Sequence, residues 1–247
     1  VTAGSYEWSF WEFFGRRPSG EYAGDPVGTA YGNFHDTFTD LPAQAGVYGL
    51  DVTRSYNSLD EGASVLGVGW RAPFSMTATS EGDDVRLTVA DGRQIPFVSD
   101  GSGGWDQPAE FAGVLSVEGD GSHVVIHPDG ERWDFDTDGR LESMTGWDGQ
   151  AVTITRNTAG DPVSVTSSLG PSLAFTYASG RLSGVSASDG RSVSYGYDAN
   201  GNLVSFTDPT TAVTTYGVDD DGRIETITDP TGVVLVDNIY NTRGRVK

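Results

Sequence analysis

Residues 197–203 read YDANGNL and form the most regular copy of a unit that recurs along the C-terminal half of the chain. In most copies a large side chain precedes Asp or Asn, a Gly stands three positions after that Asp or Asn, and an aliphatic residue follows. The turn glycines of the successive copies are Gly139, Gly160, Gly180, Gly201, Gly222 and Gly244, at spacings of 20 to 22 residues. A nearly fixed period of this length indicates one supersecondary unit repeated in tandem.

The residues between these turns alternate in character. Val193, Tyr195 and Tyr197, for example, are separated by single small or polar residues. A period of two bounded by Asp-Gly turns is typical of a β-hairpin, and the turn Gly is expected in the left-handed conformation. We therefore predict an all-β fold in which tandem antiparallel hairpins form a curved, spiralling sheet, apolar on one face and rich in Ser and Thr on the other.

One aromatic position recurs just before the turns. It is occupied by Phe135, Tyr177, Tyr197 and Tyr240. Because these residues share one phase of the repeat, we expect them to point inward on a single face. Neighbouring rings are expected to stack, each pair adding roughly 0.5–1.5 kcal/mol to the free energy of unfolding beyond area burial.

The Tyr-Asp units resemble the YD repeats of the Rhs family of polymorphic toxins, which also occur in teneurins and in the cocoon proteins of insecticidal toxin complexes. Residues 25–41, DPVGTAYGNFHDTFTDL, resemble the motif that opens Rhs shells, and LGVGWRAPF at 66–74 and HPDGERWDFDTDGRL at 127–141 follow in the order of that family. The resemblance covers residues 25–247. It is weakest around Asn157, where we expect a locally irregular unit.

The resemblance implies two regions, an opening β region at 25–130 and about five YD repeats at 131–247. The aromatic-rich residues 1–24 ahead of them are expected to form a third region, an N-terminal anchor. The resemblance also implies a secreted or cell-surface, non-catalytic segment of a β-shell that encloses a C-terminal toxin or effector domain. Its partners would be the rest of that shell and the enclosed domain. The alternatives are an extracellular adhesion or ligand-binding module and, less favoured, an enzyme with a site hidden among the acidic residues.

The number of turns limits what this segment encloses. The repeats predict 10–12 strands and the opening region about eight more, so one continuous sheet would be at most ~95 Å wide, which rolls into a ring ~30 Å across. A 100-residue cargo is itself wider than ~30 Å. We therefore expect one incomplete turn of wall, with a chain that looks truncated at both ends. Its last apolar segment, 231–240, should either fray after Asp237 or pair edge to edge with a second copy.

The composition excludes several classes of function. The formal net charge is −20 and Lys247 is the single lysine, which opposes binding to nucleic-acid phosphates. The absence of cysteine removes disulfide and thiolate sites, and no run of 18 apolar residues predicts a membrane-spanning helix. We therefore expect neither a nucleic-acid partner nor a membrane span.

The N-terminal segment differs from the repeats in its density of aromatic residues, which include Trp8, Trp11 and Phe14. We favour an anchor that packs against the interior of the sheet. A segment that binds a partner or a membrane surface is the second interpretation.

Candidate metal sites are weak. His123 and His127 flank a β-branched run that predicts a strand, which would hold the two imidazoles ~13 Å apart. Asp134, Asp136 and Asp138 match the first half of a calcium loop, but Thr145 stands where a bidentate Glu is needed. We interpret these acids as turn residues and expect no metal and no cofactor.

The Rhs family includes a self-cleaving aspartyl protease at the end of the shell. Residues 229–232, DPTG, match only the start of its motif, and the aromatic, asparagine and tryptophan positions that should follow are absent. No catalytic residue is therefore carried over to this chain, and we expect it not to be an enzyme.

Overall fold

Antiparallel β-sheet dominates the computed structural model, which describes residues 27–28 and 32–247. The expected anchor residues Trp8, Trp11 and Phe14 lie outside the described residues. A 3-10 turn is found at Pro73–Ser75. Over the described ranges, no helix has both the length and the apolar character needed to cross a bilayer.

The first six strands build the beginning of the opening region. They are β1 (Val27–Gly28), β2 (Asn33–Leu41), β3 (Val52–Asn57), β4 (Ala63–Ser64), β5 (Gly67–Val68) and β6 (Trp70–Arg71). A four-stranded sheet has the order β1-β2-β3-β6, and β4 pairs with β5 alone. The β2–β3 hairpin is the longest part of this sheet, and it supplies the residues described below.

A second four-stranded sheet follows, with the order β10-β9-β8-β7. Its strands are β7 (Thr77–Glu81), β8 (Asp84–Thr88), β9 (Gln94–Ser99) and β10 (Trp105–Asp106). An isolated bridge from Thr77 to Arg140 joins this sheet to the repeats.

The repeats form one 13-stranded sheet in which every strand pairs with its neighbours in sequence. Its strands are β11 (Val114–Val117), β12 (His123–Ile126), β13 (Arg132–Phe135), β14 (Leu141–Thr145), β15 (Ala151–Arg156), β16 (Pro162–Ser167), β17 (Ser172–Ala178), β18 (Arg181–Ala187), β19 (Ser192–Tyr197), β20 (Leu203–Thr207), β21 (Val213–Val218), β22 (Ile224–Thr228) and β23 (Val234–Asp237). This confirms the all-β class and the tandem antiparallel hairpins. The sheet begins at Val114, ahead of the repeat region drawn from residue 131.

The two faces of the repeat sheet differ as expected. In β15, Val152 and Ile154 are buried whereas Thr153 and Thr155 are exposed. The same alternation holds in β17 and β19. The apolar face forms the core, together with residues of the opening region such as Phe34 and Trp70.

The strands do not all belong to one continuous sheet, so the repeat sheet is narrower than the upper bound of ~95 Å. Thirteen strands at a ~4.8 Å spacing give a repeat sheet ~58 Å wide, and the remaining strands form separate sheets. The ring of Phe74 lies 4.9 Å from that of Phe175, and the hydroxyl of Tyr56 accepts a hydrogen bond of 3.0 Å from the N–H of Ile224. The opening region therefore packs on the repeats instead of extending them.

The last strand of the sheet, β23, has an exposed outer side. Val234 and Leu235 are 53% and 63% exposed. Beyond it, the chain turns at residues 240–246, where Val246 donates a 2.8 Å hydrogen bond to the carbonyl of Gly32. The backbone after Asp237 is thus attached to the opening region.

Candidate functional site

The repeat turns follow one hydrogen-bonding scheme, seen most clearly at Asp198. The N–H of Gly201 donates to the Asp198 carbonyl over 3.1 Å, and the N–H of Asp198 donates to the carbonyl of Asn202 over 3.0 Å. The Asp198 carboxylate accepts from the N–H groups of Asn200 and Asn202 at 2.9 and 2.8 Å. This is a type I turn followed by a bulge that needs a left-handed residue, and Gly201 meets the need with a φ of 83°.

Six other turns, five within the repeat sheet and one just after β23, use the same pair of side-chain acceptor bonds. They begin at Asp136, Asn157, Asp208, Asp219, Asp229 and Asn241. The turn at Asn157 is regular, so the expectation of an irregular unit there was wrong. Among the turns at the six glycines singled out in the sequence, the one that departs is that in which Ala178 pairs with Arg181 across Ser179 and Gly180, both at positive φ. That shorter turn explains the 20-residue spacing between Gly160 and Gly180.

The six glycines singled out in the sequence lie in alternate turns, all at the same end of the strands. We call these six turns the contacting row. All have φ between 70° and 90°. Several are also in close contact: a Cβ at Gly139 would lie 2.2 Å from the Ala78 carbonyl oxygen, and one at Gly201 or Gly222 would lie 2.9 or 2.6 Å from the side chain of Arg181 or Asn202. The residue after one turn glycine thus covers the glycine of the next turn, except at Gly180, where an added Cβ would meet nothing within 4 Å.

The intervening turns lie at the opposite end of the strands. We call these turns the open row. Its positive-φ residues are Gly130, Gly149, Gly170, Gly190, Thr211 and Gly232. A Cβ added to Gly149, Gly170, Gly190 or Gly232 would meet nothing within 4 Å. The two rows therefore share a backbone conformation and differ in their surroundings.

The repeat aromatics lie against the core, but they connect to each other differently from the expectation. Phe135 is fully buried, and Tyr177 and Tyr197 are half-buried against the core. Within the described chain, the close ring pairs do not join any two of the four. Instead the hydroxyls of Tyr177, Tyr197 and Tyr240 donate 2.7 Å hydrogen bonds to backbone carbonyls 15 or 16 residues earlier, at Pro162, Leu182 and Ile224. Hydroxyl-to-carbonyl bonds, and not stacked rings, join adjacent turns.

A buried charged cluster lies where the β2–β3 hairpin meets the repeats. Arg54 and Asp40 are each only 1% exposed and form an ion pair. Arg54 Nη2 donates to Asp40 over 2.8 Å and to the hydroxyl of Tyr216 over 2.9 Å, while the hydroxyl of Tyr195 donates to Asp40 over 2.7 Å. The guanidinium carbon also lies 4.5 to 5.6 Å from the ring centres of Trp70, Phe206, Phe38, Tyr195 and Tyr216.

The electrostatics of this cluster keep it in one protonation state. Burial lowers the pKa of Arg54, but the charge and hydrogen bond of Asp40, together with Tyr216 and Tyr195, outweigh that effect and raise it. Burial and the charge of Asp40 raise the pKa of Tyr195. Arg54 therefore remains a cation and Tyr195 a hydroxyl donor across the physiological pH range. The cluster is sealed from solvent, so it fixes the β2–β3 hairpin to β19 and β21 and does not offer a reactive group.

The sequence contained a signal for this cluster that we did not use. Asp40 shares the phase of Phe34 and Phe38 in β2, and Arg54 shares that of Val52 and Tyr56 in β3. A charged residue in the apolar phase of an alternating strand indicates a buried partner. The partners, Tyr195 in β19 and Tyr216 in β21, could not be recognised from the sequence in this way, because tyrosine is common in β-strands.

The histidines and acids considered as metal ligands lie apart in separate contacts. His123 lies in β12, as the strand prediction required, and its Nε2 is 3.2 Å from the Ser80 hydroxyl, whereas the His127 ring packs 4.4 Å from that of Trp133. Asp134 bonds to Arg132 and Ser143, and Asp136 caps a turn. No cluster of three potential His, Cys, Asp or Glu ligands occurs in residues 27–28 and 32–247.

The single acid of the DPTG segment, Asp229, also belongs to a turn. Asp229 accepts hydrogen bonds from the N–H groups of Thr231 and Val233 at 2.8 and 2.9 Å, as the other turn residues do. The Asp229 carboxylate thus stabilises the backbone of its turn, as the Asp208 carboxylate does one repeat earlier.

Two family models match the chain. The RHS Repeat model matches residues 178–213 and 197–234, and a model described as a domain of unknown function, DUF6531, matches residues 24–97. None of the curated proteins matches it in sequence.

Solved structures of toxin complexes are also similar. The Photorhabdus luminescens Tc holotoxin pore is 14% identical with a TM-score of 0.38, over 69% of this chain and 11% of that chain. The crystal structure of TcdB2-TccC3-Cdc42 is 14% identical with a TM-score of 0.35, over 69% of this chain and 12% of that chain. The chain thus spans about a tenth of the length of these proteins.

Both matches to the RHS Repeat model include the Tyr-Asp turn at residues 197–203. The hydrogen bonds of that turn recur in both rows of turns of the 13-stranded sheet. Residues 178–234 of this chain therefore carry repeats of the Rhs/YD family.

Proposed function

We propose that this chain is a non-catalytic wall segment of an Rhs-type β-shell that encloses a C-terminal toxin or effector domain and works outside the cell that makes it. The observation that supports this most is the open repeat sheet, in which each strand pairs only with its sequence neighbours. Such a sheet is extended by adding further hairpins, and a longer one is able to curve around a cargo.

The packing of the opening region narrows the role of this segment. The β2–β3 hairpin and the adjacent strand β6 occupy the apolar face of β19–β21, through Arg54 and Trp70 respectively. Because this face is already covered, an enclosed domain would contact repeats beyond those in this segment. The segment then supplies a firm end from which the wall continues.

The assignment of a scaffold and not an enzyme is supported by what the acidic side chains do. Asp136, Asp198 and Asp219 each accept two backbone N–H bonds within their own turns. Asp40, the most deeply buried of the acids discussed, is paired with Arg54. These carboxylates are therefore occupied with holding backbone and packing.

Encapsulation is tested by measuring how well the C-terminal domain is protected from a protease. The natural protein that carries this segment should be purified with all the sequence that follows it, and compared with its C-terminal domain expressed alone. We expect a protease to cut the isolated domain at least tenfold faster than it cuts the same domain within the whole protein. Denaturing the shell should remove this difference. Equal digestion rates would contradict encapsulation.

The exposed strand β23 supports a proposal of edge-to-edge self-association. Its sequence Val-Leu-Val is apolar, and an unpaired edge of this kind is a template for another strand. The net charge of −20 opposes association at low salt, so salt should promote it by screening. Light scattering at increasing salt should show larger particles, and Leu235→Lys should abolish them; scattering that is equal for both proteins would exclude this edge.

An adhesion or ligand-binding module is the second candidate. It is favoured by Trp147, which is 80% exposed in the turn between β14 and β15. A module of that kind would bind a cell surface through this turn, and Trp147→Ser would reduce the binding. A shell segment would show no cell binding in either form.

A further inference from the structure

A cleft of about 390 Å³ lies between the opening region and the contacting row. Four arginines contribute to its lining: Arg71, Arg140, Arg156 and Arg181. The whole chain has 35 Asp and Glu against 15 Lys and Arg, so this cleft reverses the charge of the molecule locally.

The four arginines are not equally neutralised. Arg71 is paired with Asp60, and Arg140 with the well-exposed Asp138. Arg156 donates instead to the carbonyl oxygens of Gly160, Phe74 and Leu141 at 2.8 to 3.1 Å, and Arg181 donates to those of Gly201 and Ser64 at 3.2 Å. In the described part of the chain, neither Arg156 nor Arg181 forms an ion pair with a carboxylate.

Arg140 and Arg156 are held against the same residue. Arg156 Nη1 lies 3.1 Å from the Gly160 carbonyl, and the Arg140 guanidinium carbon lies 3.0 Å from the point where a Gly160 Cβ would stand. The pKa of Arg156 is lowered, chiefly because burial disfavours the cation; Asp136 opposes this, and the like charge of Arg140 adds to it. Arg140, whose ion-pair partner Asp138 is well exposed, and Arg156, which bonds to carbonyl oxygens, thus lie close together in one cleft.

The rest of the lining fits a small polar ligand. Ser64, Ser75 and Thr77 carry hydroxyls, and Phe74 and Pro162 supply apolar wall. Asp161 is the one feature opposed to an anion, and it accepts a 3.2 Å hydrogen bond from Asn157.

We propose that this cleft binds an oxyanion, a carboxylate or a phosphate group, between the guanidinium groups of Arg140, Arg156 and Arg181. Guanidinium is planar and matches both kinds of oxyanion through paired N–H donors. Arg156 and Arg181 also bond the opening region, through Phe74 and Ser64, to the repeats. The bound anion therefore strengthens the junction between these regions by neutralising the cations that form it.

The variants are chosen to keep the fold. Arg140→Gln removes a partly exposed arginine of the cleft and leaves the carbonyl bonds of Arg156 and Arg181 intact. The matched control is Arg191→Gln, because Arg191 follows an Asp-Gly turn in the open row and pairs with Asp189 at 2.7 Å, much as Arg140 pairs with Asp138 at 2.8 Å. Asp161→Asn removes the opposing carboxylate.

Binding is measured by calorimetric titration with inorganic phosphate and, separately, citrate, at constant ionic strength in chloride. We expect saturable binding of one anion per chain, weakened about tenfold by Arg140→Gln and unchanged by Arg191→Gln. Asp161→Asn should tighten it about threefold. Bound anion should also raise the melting temperature of the wild type more than that of Arg140→Gln.

The two probes distinguish the source of the ligand. Saturation by phosphate alone supports a phosphorylated ligand, saturation by citrate alone supports a carboxylate, and saturation by both supports the shared chemistry. The absence of saturable heat with either probe would overturn the proposal, and so would an equal loss of affinity in Arg140→Gln and Arg191→Gln. Circular dichroism of each variant verifies that it is folded.

Discussion

The two rows of turns along the repeat sheet have the same backbone and different constraints. Gly139 in the contacting row and Gly149 in the open row have φ of 76° and 80°, so both favour glycine for conformational reasons. A Cβ at Gly139 would strike the Ala78 carbonyl at 2.2 Å, whereas one at Gly149 would meet nothing within 4 Å. The open row even accepts Thr211 at a φ of 71°. The turn motif thus explains the conformation, and packing against the opening region explains where glycine is irreplaceable.

The largest effect is expected on the covered face of the sheet, at the buried ion pair. Arg54→Met leaves Asp40 charged and unpaired in the core, so it should lower the free energy of unfolding by about 3–5 kcal/mol. The control is Arg86→Met, at a partly exposed pair with Glu81, which should cost less than about 1 kcal/mol. Urea denaturation measures both.

A double variant sharpens this result. Asp40→Leu combined with Arg54→Met removes both charges, so it should be more stable than Arg54→Met alone. If Arg54→Met costs no more than Arg86→Met, the covered face does not depend on this cluster.

The next effect compares the two rows directly. Gly149→Ala should cost about 1–2 kcal/mol, which is the penalty of a left-handed alanine. Gly139→Ala has the same penalty plus the displacement of the Ala78 backbone, about 1–3 kcal/mol more. Equal losses of unfolding free energy in the two variants would show that the contacting row is no more constrained than the open row.

A smaller effect is expected for the bonds that join turns within the contacting row. Tyr197→Phe removes the hydroxyl donor to the Leu182 carbonyl, and should cost about 1 kcal/mol. Tyr177→Phe should give a similar value, because its hydroxyl makes the same kind of bond to Pro162. A neutral result at both positions would mean that ring burial alone holds these residues.

The smallest expected effect is on the stability of the fold at acidic pH. The side chain and backbone N–H of Arg191 lower the pKa of Asp189, in the open row, to about 2. A depressed carboxyl pKa stabilises the fold above the unfolded value of about 3.9 and ceases to do so as the pH falls through the folded value. The melting temperature should therefore drop between about pH 4 and pH 2, and less steeply in Asp189→Asn. Parallel curves for the two proteins would argue against this turn as a contributor.

The local structure of the repeats was predictable because it depends on neighbouring residues. The alternation in strands such as β15 and the Asp or Asn that opens many of the turns each depend on about seven neighbouring residues, and the glycines repeat at a nearly fixed period. Two local expectations still failed: the irregular turn lies at Ser179 and not at Asn157, and the aromatics are linked by hydroxyls and not by stacking.

The arrangement of the opening region was not predictable in the same way. The contact of Arg54 with Tyr216 joins residues 162 positions apart, and a single sequence does not state which strands meet at that distance. The phase of Asp40 and Arg54 indicated burial without identifying the partners. The cleft with Arg140, Arg156 and Arg181 likewise depends on which turns the opening region covers.

The strictly sequential pairing of β11 to β23 has a consequence for the order in which the molecule is made. Contacts between sequence neighbours close small loops, which form quickly, whereas the contact between Arg54 and Tyr216 closes a loop of 162 residues. We expect the hairpins to assemble one after another as the chain emerges from the ribosome. Docking of the β2–β3 hairpin then awaits the synthesis of β21, so this slow step sets the time at which the junction closes.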